Sequence, residues 1–208
     1  MNYVTVESFN LNGVSINTTV VYDHDVYEDE QLKVDDHISR FLSPAYDTTK
    51  VFGFGAEWHV PPYSSSSKCR SVQLCDGVSC LIIMFSGDCE RVPQSLVSFL
   101  NLPNYTFVGF GMKDNVAKLE AKYGYGIINA VELGPLAATA MKKPRLAYIG
   151  VDELLSVVTG LSLRNQRPLR IFYDWENAEH YTELVKTATV NVYSYQKIGR
   201  KLLAYDWE

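Results

Sequence analysis

The sequence has no apolar run near the roughly 20 residues that a membrane helix requires. Its first residues, MNYVTVESF, contain neither the basic cluster nor the apolar core of a signal peptide. We therefore expect no membrane partner and a cytoplasmic or nuclear location. No Cys-x-x-Cys pair occurs, which excludes the usual spacing of structural zinc and predicts reduced thiols packed in strands. The four cysteines are Cys69, Cys75, Cys80 and Cys89.

A dinucleotide-binding fingerprint and a strongly basic charge are both missing. The stretch GFGMKD, beginning at Gly109, lacks the third glycine of a dinucleotide-binding fingerprint. The net charge is −5, but residues 1–50 alone hold nine acids and three bases, a net of −6. The remaining 158 residues hold 15 acids and 16 bases. This nearly neutral body neither excludes nor predicts a nucleic-acid partner.

The N-terminal 50 residues have a β-rich and then an acidic pattern. Residues 3–9 and 14–22 are β-like runs separated by NLNG, which predicts a hairpin with an Asn-Gly turn. The stretch DHDVYEDEQ reads as an acidic connection, and DDHISRFL predicts a short helix. We predict that 1–50 is an N-terminal extension packed on a main domain of residues 51–208.

The main domain alternates strands and helices. A strand at 51–60 precedes a hairpin, 71–75 and 78–85, with its turn at Asp76-Gly77. A helix from about Pro93 to Leu100 follows, and then a strand at 105–110 and a helix in GMKDNVAKLEAKYG that ends at Gly124. A strand at 126–133 and helices near 134–142 and 151–159 come next. We predict a three-layer α/β fold whose mixed sheet is antiparallel first and parallel afterwards.

The last 30 residues give conflicting signals. Apolar residues from Tyr181 to Leu202 recur at helical spacing over about six turns. The internal stretch TATVNVYSY instead alternates and is β-branched, which favours a strand. We predict a long helix because the apolar stripe is continuous.

The strand at 51–60 carries an isolated carboxylate. Phe52, Phe54 and Trp58 share one face, whereas Gly53, Gly55, Glu57 and His59 share the other. Its GFGAEW stretch resembles the first motif, roughly G-F-D-x-E-W, of the DEDD-type 3'-5' exonucleases, in particular the Werner syndrome protein exonuclease and its plant relatives. VQLCDGVSCLII, VGFGMKDNVAKLE and AVELGPLAA resemble the segments that follow in that family.

This resemblance covers about residues 51–203 and implies a ribonuclease H-like fold. It also implies a two-metal phosphodiesterase that acts on the 3' end of DNA or RNA with Mg or Mn. Magnesium requires hard oxygen ligands, mostly carboxylates. Carboxylates at i and i+2 of one strand lie on one face, about 7 Å apart, and so reach the same metal pair.

Four of the five implied catalytic positions are substituted here. Gly55, Asn115 and Asn191 replace aspartates, and Thr187 replaces the tyrosine; Glu57 alone is kept, as the single metal ligand. A unit-charge pair at about 4 Å is worth about 4 kcal/mol at an effective dielectric of about 20. Losing three acids therefore removes much of the metal affinity. We predict that hydrolysis is absent or strongly reduced.

Alternatives remain open at this stage. Asp114 and His59 could join Glu57 in a rearranged metal site, giving an active exonuclease. Asp174, Glu176 and Glu179, near Trp175, read more simply as loop acids or helix N-terminal charges. A third possibility is a structural or interaction module with an idle groove.

Two basic clusters are candidate phosphate contacts. They are Lys142, Lys143 and Arg145, and Arg164, Arg167 and Arg170. The 14 tyrosines and the edge of the N-terminal hairpin predict a homo-oligomer, which light scattering would test.

Overall fold

A computed structural model describes residues 4–23, 28–43, 50–60, 67–85, 92–168 and 181–204. The strands are β1 (Val4–Leu11), β2 (Val14–Asp23), β3 (Val51–His59), β4 (Lys68–Cys75), β5 (Ser79–Phe85), β6 (Thr106–Gly109) and β7 (Ala130–Glu132). The α-helices are α1 (Glu28–Phe41), α2 (Gln94–Leu100), α3 (Met112–Tyr123), α4 (Leu133–Ala140), α5 (Val151–Thr159) and α6 (Tyr181–Leu203). Short 3₁₀ turns occupy Pro144–Tyr148 and Arg164–Gln166.

The seven strands form one mixed sheet in the order β1-β2-β5-β4-β3-β6-β7. The β3–β4–β5 meander is antiparallel, and β6 and β7 then add in parallel beside β3. This confirms the predicted order of strand directions. The predicted two-residue turn is also present, because Asn12 and Gly13 both have positive φ, 55° and 85°.

The N-terminal hairpin extends this sheet. Strand β2 pairs in parallel with β5, with Asn17 opposite Ser79 and Asp23 opposite Phe85. Residues 4–23 therefore share the backbone hydrogen-bond network of the main domain. The division at residue 50 stays a prediction.

Apolar side chains fill both faces of the sheet. On one face, aromatic rings of β3 and β6 pack against α1 and α2; Phe52 and Phe99 have ring centroids 5.0 Å apart. On the other face, α4, α5 and α6 cover the sheet with a second buried cluster that includes Leu133, Leu154 and Val192. The predicted three-layer α/β architecture is confirmed.

Helix α6 resolves the conflict between pattern and propensity. It runs for 23 residues, and its TATVNVYSY stretch is helical throughout. Leu184, Ala188 and Val192 lie one turn apart and are all buried. Burial of this stripe against the sheet outweighs the local β preference.

Several element boundaries differ from the prediction. Strand β7 has only three residues, Ala130–Glu132, where 126–133 was predicted, and α1 begins well before the predicted DDHISRFL helix. Cys69, Cys75 and Cys80 are free and buried, as predicted, and Cys89 lies outside the described residues. Within the described ranges, no helix is both long and apolar enough to cross a membrane.

The contact between β3 and α6 requires a residue without a side chain. A Cβ at Gly53 would overlap the carbonyl oxygen of Val192, a backbone atom that cannot rotate away. The backbones of β3 and α6 therefore touch at Gly53. This contact fixes the height of α6 above the sheet.

Gly53→Ala is expected to destabilise the fold by about 3 kcal/mol or more, because helix and strand must separate and open a gap. Chemical denaturation monitored by circular dichroism measures the loss. Gly150→Ala is the matched control, since a Cβ there meets nothing within 4 Å and its φ of −75° suits alanine. Equal stability of the two variants would contradict the close packing.

His37 of α1 makes stability depend on pH. It is 3% exposed, and neither ring nitrogen has a hydrogen-bond partner among the residues that the structure describes. Desolvation, with a smaller effect from Arg40, lowers the pKa of His37 to about 4 from 6.5. The folded protein therefore keeps this ring neutral at pH values at which the unfolded chain protonates it.

As pH falls from 6.5 towards 4, the unfolded state gains a proton at His37 that the folded state does not. Stability is unaffected by this group above pH 6.5 and falls below it, by about 2 kcal/mol at pH 5. Denaturation at pH 7 and pH 5 should show a smaller loss for His37→Leu than for the native chain. An identical loss in both proteins would refute this assignment.

Candidate functional site

The site predicted from the sequence lies where β3, the start of α3 and the middle of α6 meet. Asn115 is 8% exposed, and its Oδ1 accepts a hydrogen bond from the indole Nε1 of Trp58 at 2.9 Å. This contact ties α3 to β3. Trp58 is the residue directly after Glu57 on the strand. A β-bulge between Glu57 and Trp58 interrupts the β3–β4 register at this point.

The space beside Gly55 is already filled. A Cβ at Gly55 would lie 2.8 Å from Oε1 of Gln73 and 3.3 Å from Cγ1 of Val192. Gln73 faces Gly55 across the β3–β4 ladder and is 3% exposed, and its Nε2 donates to Ser71 Oγ at 3.0 Å. A glutamine amide and a valine methyl thus occupy the place where a longer side chain would begin.

Asn191 of α6 is held by an arginine. Arg167 Nη1 donates to Asn191 Oδ1 at 2.6 Å, and Arg167 Nε donates to both carboxylate oxygens of Asp152 at 2.8 and 2.9 Å. Arg167 Nη2 is buried and has no hydrogen-bond partner within the described part of the chain. The guanidinium thus links α5 to α6 and brings a fixed positive charge beside Asn191.

Glu132 closes the site at the start of α3. Its two carboxylate oxygens accept hydrogen bonds from Gly111 N at 2.9 Å and Met112 N at 2.7 Å. These are free backbone donors at a helix N-terminus, where negative charge is favoured. Gly111 adopts φ of 64°, which glycine allows without strain.

Tyr195 connects these groups electrostatically. The residue is partly exposed, but its hydroxyl end is buried, and this burial raises its pKa to about 12. The positive charge of Arg167 lowers that pKa, whereas the negative charges of Glu132, Glu57 and Asp152 raise it. All four charged groups therefore lie near enough to this hydroxyl to act on its pKa. We call the space bordered by Glu57, Asn115, Glu132, Arg167 and Asn191 the groove.

Thr187 lies one turn before Asn191 on α6 and does not reach across the groove. Its hydroxyl donates to the carbonyl of Glu183 at 2.8 Å, one turn back on its own helix. The arrangement therefore offers the amides of Gln73, Asn115 and Asn191, the carboxylates of Glu57 and Glu132, the Arg167–Asp152 pair and the phenol of Tyr195.

Asp114 and His59, the two further residues of the rearranged metal site, are both exposed. Asp114 is 67% exposed and pairs with Lys118 of its own helix at 2.7 Å. His59 lies exposed at the end of β3. Asp174, Glu176 and Glu179 lie outside the described residues.

The predicted phosphate contacts fall into two environments. Lys142, Lys143 and Arg145 are exposed between α4 and α5, and Arg164 is exposed beyond α5. Arg167 instead belongs to the groove through Asp152 and Asn191. Arg170 lies outside the described residues.

Sequence reasoning missed four groove residues: Gln73, Glu132, Asp152 and Tyr195. Gln73 lies in the VQLC stretch and Glu132 in AVELGPLAA, both of which carried the family resemblance. Their location within these two segments was the only sequence feature that could have indicated a role in the site. The Arg167–Asp152–Asn191 contact has no sequence signal, because its members come from three separate segments.

The architecture is the ribonuclease H-like α/β fold of known 3'-5' exonucleases. It superimposes on Escherichia coli RNase D, an exoribonuclease involved in structured RNA processing, with a TM-score of 0.63 and 14% identity over 88% of this chain and 44% of that chain. Brucella melitensis NrnC with bound Mg²⁺ gives a TM-score of 0.58 and 15% identity over 76% and 74%.

One sequence relative is also a 3'-5' exoribonuclease by name. The RISC-interacting clearing 3'-5' exoribonuclease 1 of Arabidopsis thaliana is 27% identical over 122 residues, which span 57% of this chain and 60% of that protein. No family model matches the chain.

The described residues do not fit a pair of divalent ions. Asn191 Oδ1 and Asn115 Oδ1 already accept hydrogen bonds from Arg167 and Trp58, and Gly55 has no ligand atom. The Arg167 guanidinium also brings like charge to any cation beside Asn191. Across the ranges given above, no group of three or more His, Cys, Asp or Glu side chains is placed to hold a metal.

Restoring the family residues should therefore not suffice to restore metal binding. A variant with Gly55→Asp, Asn115→Asp, Asn191→Asp and Thr187→Tyr is expected to bind Mn²⁺ weakly, because Arg167 pairs with the new carboxylate at 191. Adding Arg167→Gln should tighten Mn²⁺ binding about tenfold or more, since like charge at about 4 Å costs several kcal/mol. Electron paramagnetic resonance of free Mn²⁺ measures both affinities.

Arg200→Gln, an exposed arginine of α6, is the charge-matched control and should leave Mn²⁺ affinity unchanged. Because Gly55→Asp requires Gln73 to move, the same comparison is repeated without that substitution. Equal Mn²⁺ affinity with and without Arg167 in both backgrounds would contradict the role of the guanidinium.

Proposed function

We propose that this chain is a nucleic-acid-binding protein of the 3'-5' exonuclease family in which two-metal hydrolysis is absent or strongly reduced. The observation that carries this proposal is the Arg167–Asn191 hydrogen bond of 2.6 Å. It places a permanent cation, itself held by Asp152, beside one of the positions that the resemblance assigns to a metal-binding aspartate.

The fold and the relative support the family assignment. RNase D and the Arabidopsis protein are both exoribonucleases by name. The alignment covers only 60% of the Arabidopsis protein. That RNA is also a substrate or ligand of this chain is therefore part of our proposal. Within the family we place the chain with the Werner-type members, on the order of the motifs from GFGAEW to VELGPLAA.

Electrostatics of the groove support the loss of two-metal hydrolysis. Each missing carboxylate removes attraction for a divalent ion, and even a pair of unit charges at about 4 Å is worth about 4 kcal/mol at an effective dielectric of about 20. Three are replaced by Gly55, Asn115 and Asn191, and Arg167 adds repulsion. Together these changes lower the affinity for a pair of Mg²⁺ ions so far that the pair does not bind at ordinary Mg²⁺ concentrations.

Two other functions compete with this proposal. An active exonuclease with a rearranged metal site would need Asp114 near Glu57, yet Asp114 points into solvent and pairs with Lys118. A purely structural module would need no exposed phosphate contacts, yet Lys142, Lys143 and Arg145 are all exposed on one segment. We propose a cytoplasmic or nuclear location, since three buried free thiols persist in a reducing compartment.

Incubation with labelled single-stranded RNA and DNA, with Mg²⁺ or Mn²⁺, should release no mononucleotides while binding persists. Because binding uses protein cations and not metal, adding a chelator should change the dissociation constant by less than about threefold. Fluorescence anisotropy measures binding, and denaturing gels measure degradation.

An active exonuclease in parallel reactions is the control for the substrate. Degradation that Glu57→Ala abolishes would overturn the loss of hydrolysis. Binding that disappears with the chelator would overturn metal independence. Absence of binding at low salt would favour the structural module.

A further inference from the structure

The segment between α4 and α5, residues 141–150, joins two sides of the groove. Glu132, immediately before α4, caps α3 at the groove, and Asp152, in the first turn of α5, holds Arg167. The segment therefore begins and ends on elements that carry groove residues. We call it the α4–α5 segment.

The α4–α5 segment is fixed on the protein body. Leu146 is fully buried in the core beneath α4, α5 and α6. A Cβ at Gly134 would lie 2.8 Å from the carbonyl oxygen of Ala147, so the segment packs directly on the start of α4. Lys143 N donates to Ala138 O at 3.0 Å, which closes the end of that helix. The backbone that carries its outward side chains is thus held in place by packing.

The outward side chains combine one aromatic ring with three cations. Tyr148 is 91% exposed, the highest value among the exposed large hydrophobic residues of the described chain. Lys142, Lys143 and Arg145 are exposed on the same segment. Residues 133–151 contain no Asp or Glu, so these cations are not neutralised within the segment. A single exposed tyrosine is ordinary; an exposed tyrosine among unopposed cations is the composition of a single-strand binding surface.

The described charges beside the groove are mostly acidic. Glu57, Glu132 and Asp152 act on the Tyr195 hydroxyl as negative charges, and Arg167 acts on it as a positive charge. The positive charge that attracts phosphates next to the groove lies on the α4–α5 segment.

We infer that the α4–α5 segment is a binding site for single-stranded nucleic acid, in which a base stacks on Tyr148 and the adjacent phosphates contact Lys142, Lys143 and Arg145. The inference rests on the proposed nucleic-acid binding. It places the main contacts with nucleic acid on the α4–α5 segment instead of in the groove. Stacking selects unpaired bases, because a base inside a duplex presents no free face. Sequence preference is expected to be weak, because every base has a π-face.

The test measures anisotropy of labelled oligouridine and oligothymidine of about a dozen nucleotides, in chelator and at low salt. Tyr148→Ser should weaken binding about five- to a hundredfold, the loss expected for one stacked base. Tyr148→Phe keeps the ring and should bind within about twofold of the native chain. A blunt duplex of equal length should be insensitive to Tyr148→Ser.

Replacing Lys142, Lys143 and Arg145 together by Gln should lower the slope of log affinity against log salt by about 2, from three phosphate contacts on a single strand. The charge-matched control replaces Lys33, Arg40 and Lys122, exposed on α1 and α3 across the sheet, by Gln. Ile128→Ser, at 57% exposure, controls for loss of an exposed apolar side chain. Both controls should bind like the native chain.

The outcomes separate the two proposals. A native chain that binds no oligonucleotide refutes the proposed function. A native chain that binds, while Tyr148→Ser and the triple Gln variant bind equally well, refutes this inference alone and leaves the groove as the binding site. A duplex weakened as much as the single strand by Tyr148→Ser would also overturn the stacking role.

Discussion

The backbone contact between β3 and α6 at Gly53 is the constraint on which the rest of the site depends. Because Val192 lies directly on β3, its side chain also covers Gly55, one pleat further along the strand. The neighbouring residue, Asn191, is then turned to the side, where Arg167 reaches it. A bulkier residue at 53 would lift the helix and separate all three contacts. One missing side chain thus determines both the packing and the chemistry above it.

Helix α6 also fixes the N-terminal hairpin. The buried hydroxyls of Thr18 and Thr189 are 2.7 Å apart, and the hydroxyls of Thr5 and Tyr181 are 2.6 Å apart. Buried hydroxyl pairs specify position because an unpaired hydroxyl in the core is costly. The helix therefore spans the sheet from the hairpin to β6, and the hairpin is held by side chains as well as by its ladder with β5.

Local patterns were sufficient for the existence and order of the main-domain strands, the turn at Asn12-Gly13 and the helical assignment of α6, because each depends on residues close together in sequence. They were not sufficient for strand bounds such as those of β7. The family resemblance singled out Gly55, Asn115 and Asn191, which lie on β3, α3 and α6. Local patterns could not reveal that Gln73 fills the space at Gly55 or that Arg167 binds Asn191. Arg167 was expected at phosphates, and its partner Asp152 carries no motif. Such contacts are decided by tertiary packing, where segments distant in sequence compete for the same space.

The charge balance explains why an asparagine, and not an aspartate, suits position 191 once Arg167 is present. A partly buried guanidinium is stabilised by one carboxylate in good geometry, and Asp152 already supplies it through both oxygens. A second carboxylate at 191 would leave a surplus negative charge among Glu57, Glu132 and Asp152. The amide of Asn191 instead accepts the remaining Nη1 hydrogen bond without adding charge. An amide at position 191 and the Arg167–Asp152 pair are thus matched in charge and in hydrogen bonding.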